Sequence, residues 1–149
     1  MKGDPMQNIT DYVFRFRKVY YRDLEPFCRQ WDLTRNELDV ILFLTNHPGL
    51  DRASDIASHR SIAKSHISQS VAALEQRGLL QRCPDPDDRR IDHLKLTEQS
   101  LPMVRMAVRH QQDFFRRLCA SLTPEDIAHW NEIAEKLRST IEEMEQTKE

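Results

Sequence analysis

Apolar residues recur every three or four positions along most of this chain, and one short stretch past its middle alternates instead. Ile9, Tyr12, Val13, Phe16, Val19, Tyr20, Leu24 and Phe27 form the first stripe, which predicts a helix over residues 8–31. Pro26 sits inside that stripe and lacks a backbone amide, so a kink or break is expected near Glu25. Thr34 reads as the N-cap of a second helix, with Glu37 at the capping-box position. Leu38, Ile41, Leu42 and Thr45 make its buried face, and His47-Pro48-Gly49 ends it. A short third helix is predicted from about Ala53 to His59, and a fourth from about Lys64 to Gln76. In the fourth, Ile67, Val71 and Leu74 face one way. Ser65, Gln69, Ala72 and Gln76 lie opposite, flanked by His66 and Ser68. Gly78 suits the left-handed residue that closes such a helix.

The alternating stretch follows. Leu79 to Arg82 and Ile91 to Leu96 read as two short strands, joined as a long hairpin. Residues 100–119 return to helical spacing through Val104, Val108, Phe115 and Leu118. Pro102 lies at the start of that segment, so the regular helix must begin near Ser100 or kink there. Thr123-Pro124-Glu125-Asp126 combines a capping hydroxyl, proline at the first helical position and acids in the first turn. The last helix continues through Trp130, Ile133, Leu137, Ile141 and Met144. The fold class is therefore mainly α with a small β-hairpin wing. The order helix, helix, short helix, helix, hairpin is that of a winged helix-turn-helix, whose second helix enters the major groove of DNA.

Composition narrows the setting. The chain of 149 residues, 39% hydrophobic and 31% charged, has room for one compact domain and is not of disordered type. No apolar run approaches the roughly 20 residues needed to span a bilayer, and Met1–Asp11 has no signal-type segment. A cytoplasmic protein with no membrane partner is expected. Cys28, Cys83 and Cys119 are odd in number and far apart, against a disulfide framework or a zinc knot. The formal net charge is −2, but the charge is uneven. Arg15, Arg17, Lys18, Arg22, Arg29 and Arg35 enrich the first quarter, and glutamates dominate the last helix. Nucleic-acid binding needs a local basic surface, not a basic average.

Two places carry candidate chemistry. The outer face of the fourth helix is small and polar, so its backbone can approach base edges. Lys64, Ser65, His66, Ser68 and Gln69 are the candidate DNA contacts, with Gln69 suited to adenine. A merely solvated helix face is the competing reading. The second place is the loop Cys83-Pro84-Asp85-Pro86-Asp87-Asp88-Arg89-Arg90. It can be a metal site, a solvated turn, or a device that aims an arginine. The acids lack the glycine and distant glutamate of a calcium loop, and no histidine pair supports a transition metal. Arg89 or Arg90 at the tip can reach a minor groove, and Asp88 can fix its aim by a charge-assisted hydrogen bond. There is no phosphate-cradling glycine loop, GxSxG or HExxH, so no catalytic residue, metal or cofactor is expected.

Leu74-Glu75-Gln76-Arg77-Gly78-Leu79-Leu80-Gln81-Arg82, then Asp85-Pro86-Asp87-Asp88-Arg89-Arg90, then Leu96-Thr97, together resemble the MarR family of winged-helix bacterial transcription regulators. Leu33-Thr34 and Asp55-Ile56-Ala57 fit the same pattern, and the resemblance covers nearly the whole chain. It implies an obligate homodimer built from the first and last two helices and binding a pseudo-palindromic double-stranded operator. On this basis residues 1–149 are a single domain, with a winged helix-turn-helix over 33–97 and dimerisation helices over 8–32 and 98–146. Many members respond to a small aromatic or phenolic ligand in a cleft between these regions. Tyr12, Phe16 and Tyr20 are the candidates for that cleft, joined by Phe27, although aromatics at this spacing also serve as plain core.

The chain departs from the family pattern at several points. Gln69 stands where many members have arginine, Ala63 occupies the N-cap of the recognition helix, and Ser100 replaces a common glycine. The stretch Gln7 to Phe16 lacks the reactive cysteine of peroxide-sensing members, and His47, His110 and Cys28 are scattered as zinc ligands. The expected function is a ligand-released DNA-binding repressor. The rival is a dimeric helical interaction scaffold that no longer binds DNA.

Overall fold

The structure, a computed structural model, describes residues 5–147. Six α-helices and one hairpin follow in chain order. They are α1 (Pro5–Trp31), α2 (Arg35–Asn46), α3 (Ala53–Arg60), α4 (Lys64–Gln76), β1 (Leu80–Pro84), β2 (Asp92–Leu96), α5 (Leu101–Leu118) and α6 (Pro124–Gln146). A single 3-10 turn, Glu98–Ser100, leads into α5. The chain divides into two compact units, residues 1–114 and 115–149.

In the first unit, α2 is the hub. Leu38, Val40, Ile41, Leu42 and Phe43 are all buried, and they meet Leu24 and Phe27 of α1, Ile56 of α3, and Ile67, Val71 and Leu74 of α4. The single apolar face expected for α2 was too narrow, because a helix packed on several sides buries residues all round. Glu37 is buried as well, and the capping box explains how. Its carboxylate accepts from the amide of Thr34 at 2.7 Å, while the Thr34 hydroxyl accepts from the Glu37 amide at 3.2 Å. Thr34→Ala should lower stability by about 1 kcal/mol in urea denaturation. A larger loss is not expected, since the residue-34 amide still satisfies Glu37.

Pro26 does not break α1, which runs unbroken to Trp31. A proline inside a helix costs about 3 kcal/mol. The nearby Leu24 and Phe27 are only 1% and 4% exposed, and burying each is worth about 1.5–3 kcal/mol. Packing therefore outweighs the lost amide. The helix ends at Asp32, whose φ of 50° is left-handed. Arg77 reaches back from the end of α4 to donate to the carbonyls of Trp31 and Asp32, both at 2.7 Å. Pro102 acts as expected, with regular helix beginning only at Leu101. The inward face of α5 is Met103, Val104, Ala107 and Phe114, whereas Phe115 and Leu118 are exposed.

The hairpin pairs Leu80 with Leu96 through Pro84 with Asp92. Gly78 takes φ +70° between α4 and β1, where a Cβ would lie 3.0 Å from the side-chain Oε1 of Gln99. Arg82 of β1 bonds Glu75 of α4 at 3.1 Å and lies 3.7 Å from Asp92 of β2, tying the wing to the fourth helix. In the second unit, α6 starts with a full capping box between Thr123 and Asp126 and contains no buried residue. No helix among the described residues is long and apolar enough to cross a membrane.

Candidate nucleic-acid interface

The apolar stripe of α4 fixes which side faces out. Ile67, Val71 and Leu74 are fully buried, so Lys64, Ser65, His66, Ser68 and Gln69 all stand exposed. Ser70 turns inward and its hydroxyl donates to the His66 carbonyl at 2.9 Å. Ala63 supplies no side-chain cap, which leaves the first amides of α4 without a side-chain acceptor. A left-handed Ser61, φ 51°, makes the turn from α3.

At the wing, Asp88 holds Arg90 and not Arg89. Arg90 Nε donates to Asp88 Oδ1 at 3.0 Å and Nη2 to Oδ2 at 2.9 Å, a two-pronged pairing. The Arg90 amide also donates to Oδ1, at 3.0 Å. These bonds hold the Asp88 carboxyl below its usual range and raise the guanidinium. The Arg90 side chain nevertheless remains 90% exposed. Arg89 is exposed and makes no side-chain hydrogen bond or ion pair among the described residues.

Asp85 has a separate task. Its Oδ1 accepts the amides of Asp87 and Asp88 at 2.8 and 2.9 Å, closing the turn that carries the arginines. Its Oδ2 lies 2.9 Å from His93 Nε2. The bond from His93, followed by the two amides, lowers the Asp85 carboxyl to about 2. His93 Nδ1 in turn lies 2.7 Å from Asp51 Oδ1, in the segment before α3. Hydrogen bonds to Asp85 and then Asp51 raise its imidazole above the ordinary histidine value. Neither His93 nor Asp51 was singled out from sequence. Register offers one clue: His93 pairs with Cys83, so Asp85 is its diagonal neighbour on the same face. Asp51 is 42 residues away and gives no local signal.

The sequence profile of the MarR family matches residues 31–91. The HTH-type transcriptional repressor IacR of Pseudomonas putida is 25% identical over 131 residues, which span 88% of this chain and 78% of IacR. Over residues 31–91 the chain is similar to the MarR family. A MarR family regulator from Silicibacter pomeroyi superposes with a TM-score of 0.76 at 19% identity, covering 89% of each chain. The S. aureus MepR–DNA complex superposes with a TM-score of 0.69 at 19% identity, covering 88% of this chain and 95% of MepR. The shared fold with both is the winged helix.

The three aromatic cleft candidates part company. Phe16 and Tyr20 stack at 5.7 Å, and both meet the ring of Phe114 edge-on, at 6.0 and 5.2 Å. Tyr12 stands 73% exposed. Two cavities are instead found at Tyr21 and Arg35, and none of Tyr12, Phe16 and Tyr20 lines them. One, of about 350 Å³, includes Leu24, Cys28 and Arg29; the other, of about 290 Å³, includes Phe14, Arg17 and Lys18. Arg35 sits over the Tyr21 ring at 4.4 Å. The Tyr21 hydroxyl donates to buried Asp39 at 2.7 Å, and burial with that bond pushes the phenol up to about 12.

Proposed function

We propose that this chain is a regulator of the MarR type: a dimeric, sequence-specific DNA-binding repressor of the cytoplasm, released by a small aromatic ligand. The observation that carries the DNA reading is Arg90: a guanidinium held in one direction by two bonds, yet almost wholly exposed. An exposed ion pair adds little to stability, so the pairing makes sense as aim toward a partner outside the chain. The exposed polar face of α4 supplies the matching major-groove element. Lys64, Ser65, His66, Ser68 and Gln69 contact DNA there, while Arg89 and Arg90 reach the minor groove. IacR is named a repressor and MepR is solved with DNA, which supports the same reading.

Two helix faces support the dimer. Ile9, Tyr12, Val13 and Phe14 on α1 are exposed, as are Trp130, Ile133, Leu137, Ile141 and Met144 on α6. Apolar exposure on this scale marks an interaction surface. For the ligand, Tyr12, Phe16 and Tyr20 remain the proposed contacts, and the cavities at Tyr21 and Arg35 add the cations that an aromatic acid would meet. Such an acid should raise the melting temperature and release DNA together.

The reading is tested by a gel shift of the full chain on the DNA flanking its own gene. A discrete shift that survives competitor DNA is expected; its absence would leave the helical scaffold as the better account. On that DNA, Gln69→Ala should change the preference at one base pair by about 1–3 kcal/mol and leave the salt slope nearly unchanged.

A further inference from the structure

His93 joins two parts of the fold that the sequence keeps far apart. We propose that His93 is a positioning residue for the wing: a proton-dependent clamp between the segment entering α3 and the loop that aims Arg90. The inference rests on the DNA-binding reading for its consequence, but the clamp itself does not need DNA.

The geometry sets the protonation state. Both ring nitrogens lie against carboxylate oxygens, Nδ1 at 2.7 Å from Asp51 and Nε2 at 2.9 Å from Asp85. An ionised carboxylate only accepts, so both nitrogens must donate, and only the imidazolium carries two N–H groups. A neutral ring would set a lone pair against one of the two acids. The backbone repeats the link, with the Leu94 amide donating to the Asp51 carbonyl at 2.7 Å. From the imidazole the connection runs outward without a gap. Asp85 accepts His93 on one oxygen and the amides of Asp87 and Asp88 on the other. Asp88 then grips Arg90.

The surrounding charges favour this assignment. Among the described residues, the groups that act on the imidazole are Asp85 from the wing loop and Asp51 from the segment before α3. Cys83 stands opposite His93 in the strand pair. Asp92, its neighbour in β2, faces Arg82, and Arg52 acts through its charge on Asp88. The His93 proton is held more tightly in the folded chain than in the unfolded one. The clamp is therefore complete at low pH and is lost as pH rises through the folded midpoint. Asp85, with its carboxyl near 2, stays ionised throughout. Linkage is reciprocal: if operator DNA prefers the clamped wing, DNA must raise the His93 midpoint further.

The test begins with the full wild-type chain, free of DNA. Its histidine ring nitrogens, backbone amides and arginine Nε–H groups are followed by NMR from about pH 5 to 9. His93 should titrate above the ordinary histidine value, with both nitrogens protonated below its midpoint. The amides of Asp87 and Asp88 and the Nε–H of Arg90 should move with that same midpoint. Asp51→Asn should lower it. Operator affinity, read by anisotropy on a labelled duplex of the flanking DNA, should fall across the midpoint by about fivefold more in wild type than in His93→Gln. His93→Gln should bind like the high-pH wild type at every pH. An ordinary midpoint, or Arg90 signals blind to it, overturns the clamp whether or not DNA binds. Identical pH profiles for wild type and His93→Gln overturn its role in recognition. A wild type that binds no duplex at any pH overturns the DNA reading, and the NMR titration still decides the clamp.

Discussion

Trp130→Glu combined with Leu137→Glu is expected to leave a folded monomer that has lost most of its hold on DNA. Six large apolar residues of α6, from Ile127 through Met144, are exposed, and the helix has no buried residue of its own. Each such side chain gains about 1.5–3 kcal/mol when buried against a partner, and association must offset at least about 4 kcal/mol of lost freedom. Two buried acids would reverse that balance, because an unpaired charge cannot enter an apolar interface cheaply. The winged unit should survive, since its core of Phe43, Ile67 and Leu74 contains no residue beyond 114. Losing one of two linked half-site contacts removes about 10²- to 10⁴-fold in affinity. Light scattering reads the mass, circular dichroism the fold, and anisotropy the binding. A wild-type chain that scatters as a monomer, or a double variant that remains dimeric, would defeat the proposed architecture.

Legibility from sequence followed how local each interaction is. The bounds of α4 were readable because Ile67, Val71 and Leu74 repeat at helical spacing and Gly78 closes the helix. The hairpin was legible from its local alternation, with the first strand shifted by one to two residues toward Pro84 and the second starting one residue later, at Asp92. The unbroken course of α1 through Pro26 was not readable, since it depends on what Leu24 and Phe27 pack against. Nor was the all-round burial of α2, which polar Glu37 and Asp39 disguise. At the wing, the pairing of Asp88 with an arginine followed from chain proximity, but its choice of Arg90 required the turn that Asp85 closes. The Asp51–His93 contact bridges 42 residues and only tertiary structure brings it together.

Asp88→Ala is expected to weaken operator binding even though it removes a negative charge from a surface that faces phosphate. Two effects compete. Unscreened over a Debye length of about 10 Å at 0.1 M salt, a lost acid should tighten binding slightly. Against that, the substitution frees the Arg90 side chain from both of its prongs and releases the Arg90 amide. The turn itself should persist, because Asp85 accepts the residue-88 amide and the residue-88 carbonyl accepts the Ile91 amide, neither through the Asp88 side chain. Arg90→Ala removes the contact outright. It should cost about ten- to a hundredfold per half-site, the scale of one charge-assisted hydrogen bond. It should also flatten the salt dependence by about one counterion. Asp88→Ala should show a smaller loss in the same direction. The decisive measurement is the double variant: if Asp88 acts through Arg90, adding Asp88→Ala to Arg90→Ala changes affinity little. Tighter binding by Asp88→Ala alone, or equal effects of that substitution with and without Arg90, would show the acids to be a solvated turn that merely repels the backbone.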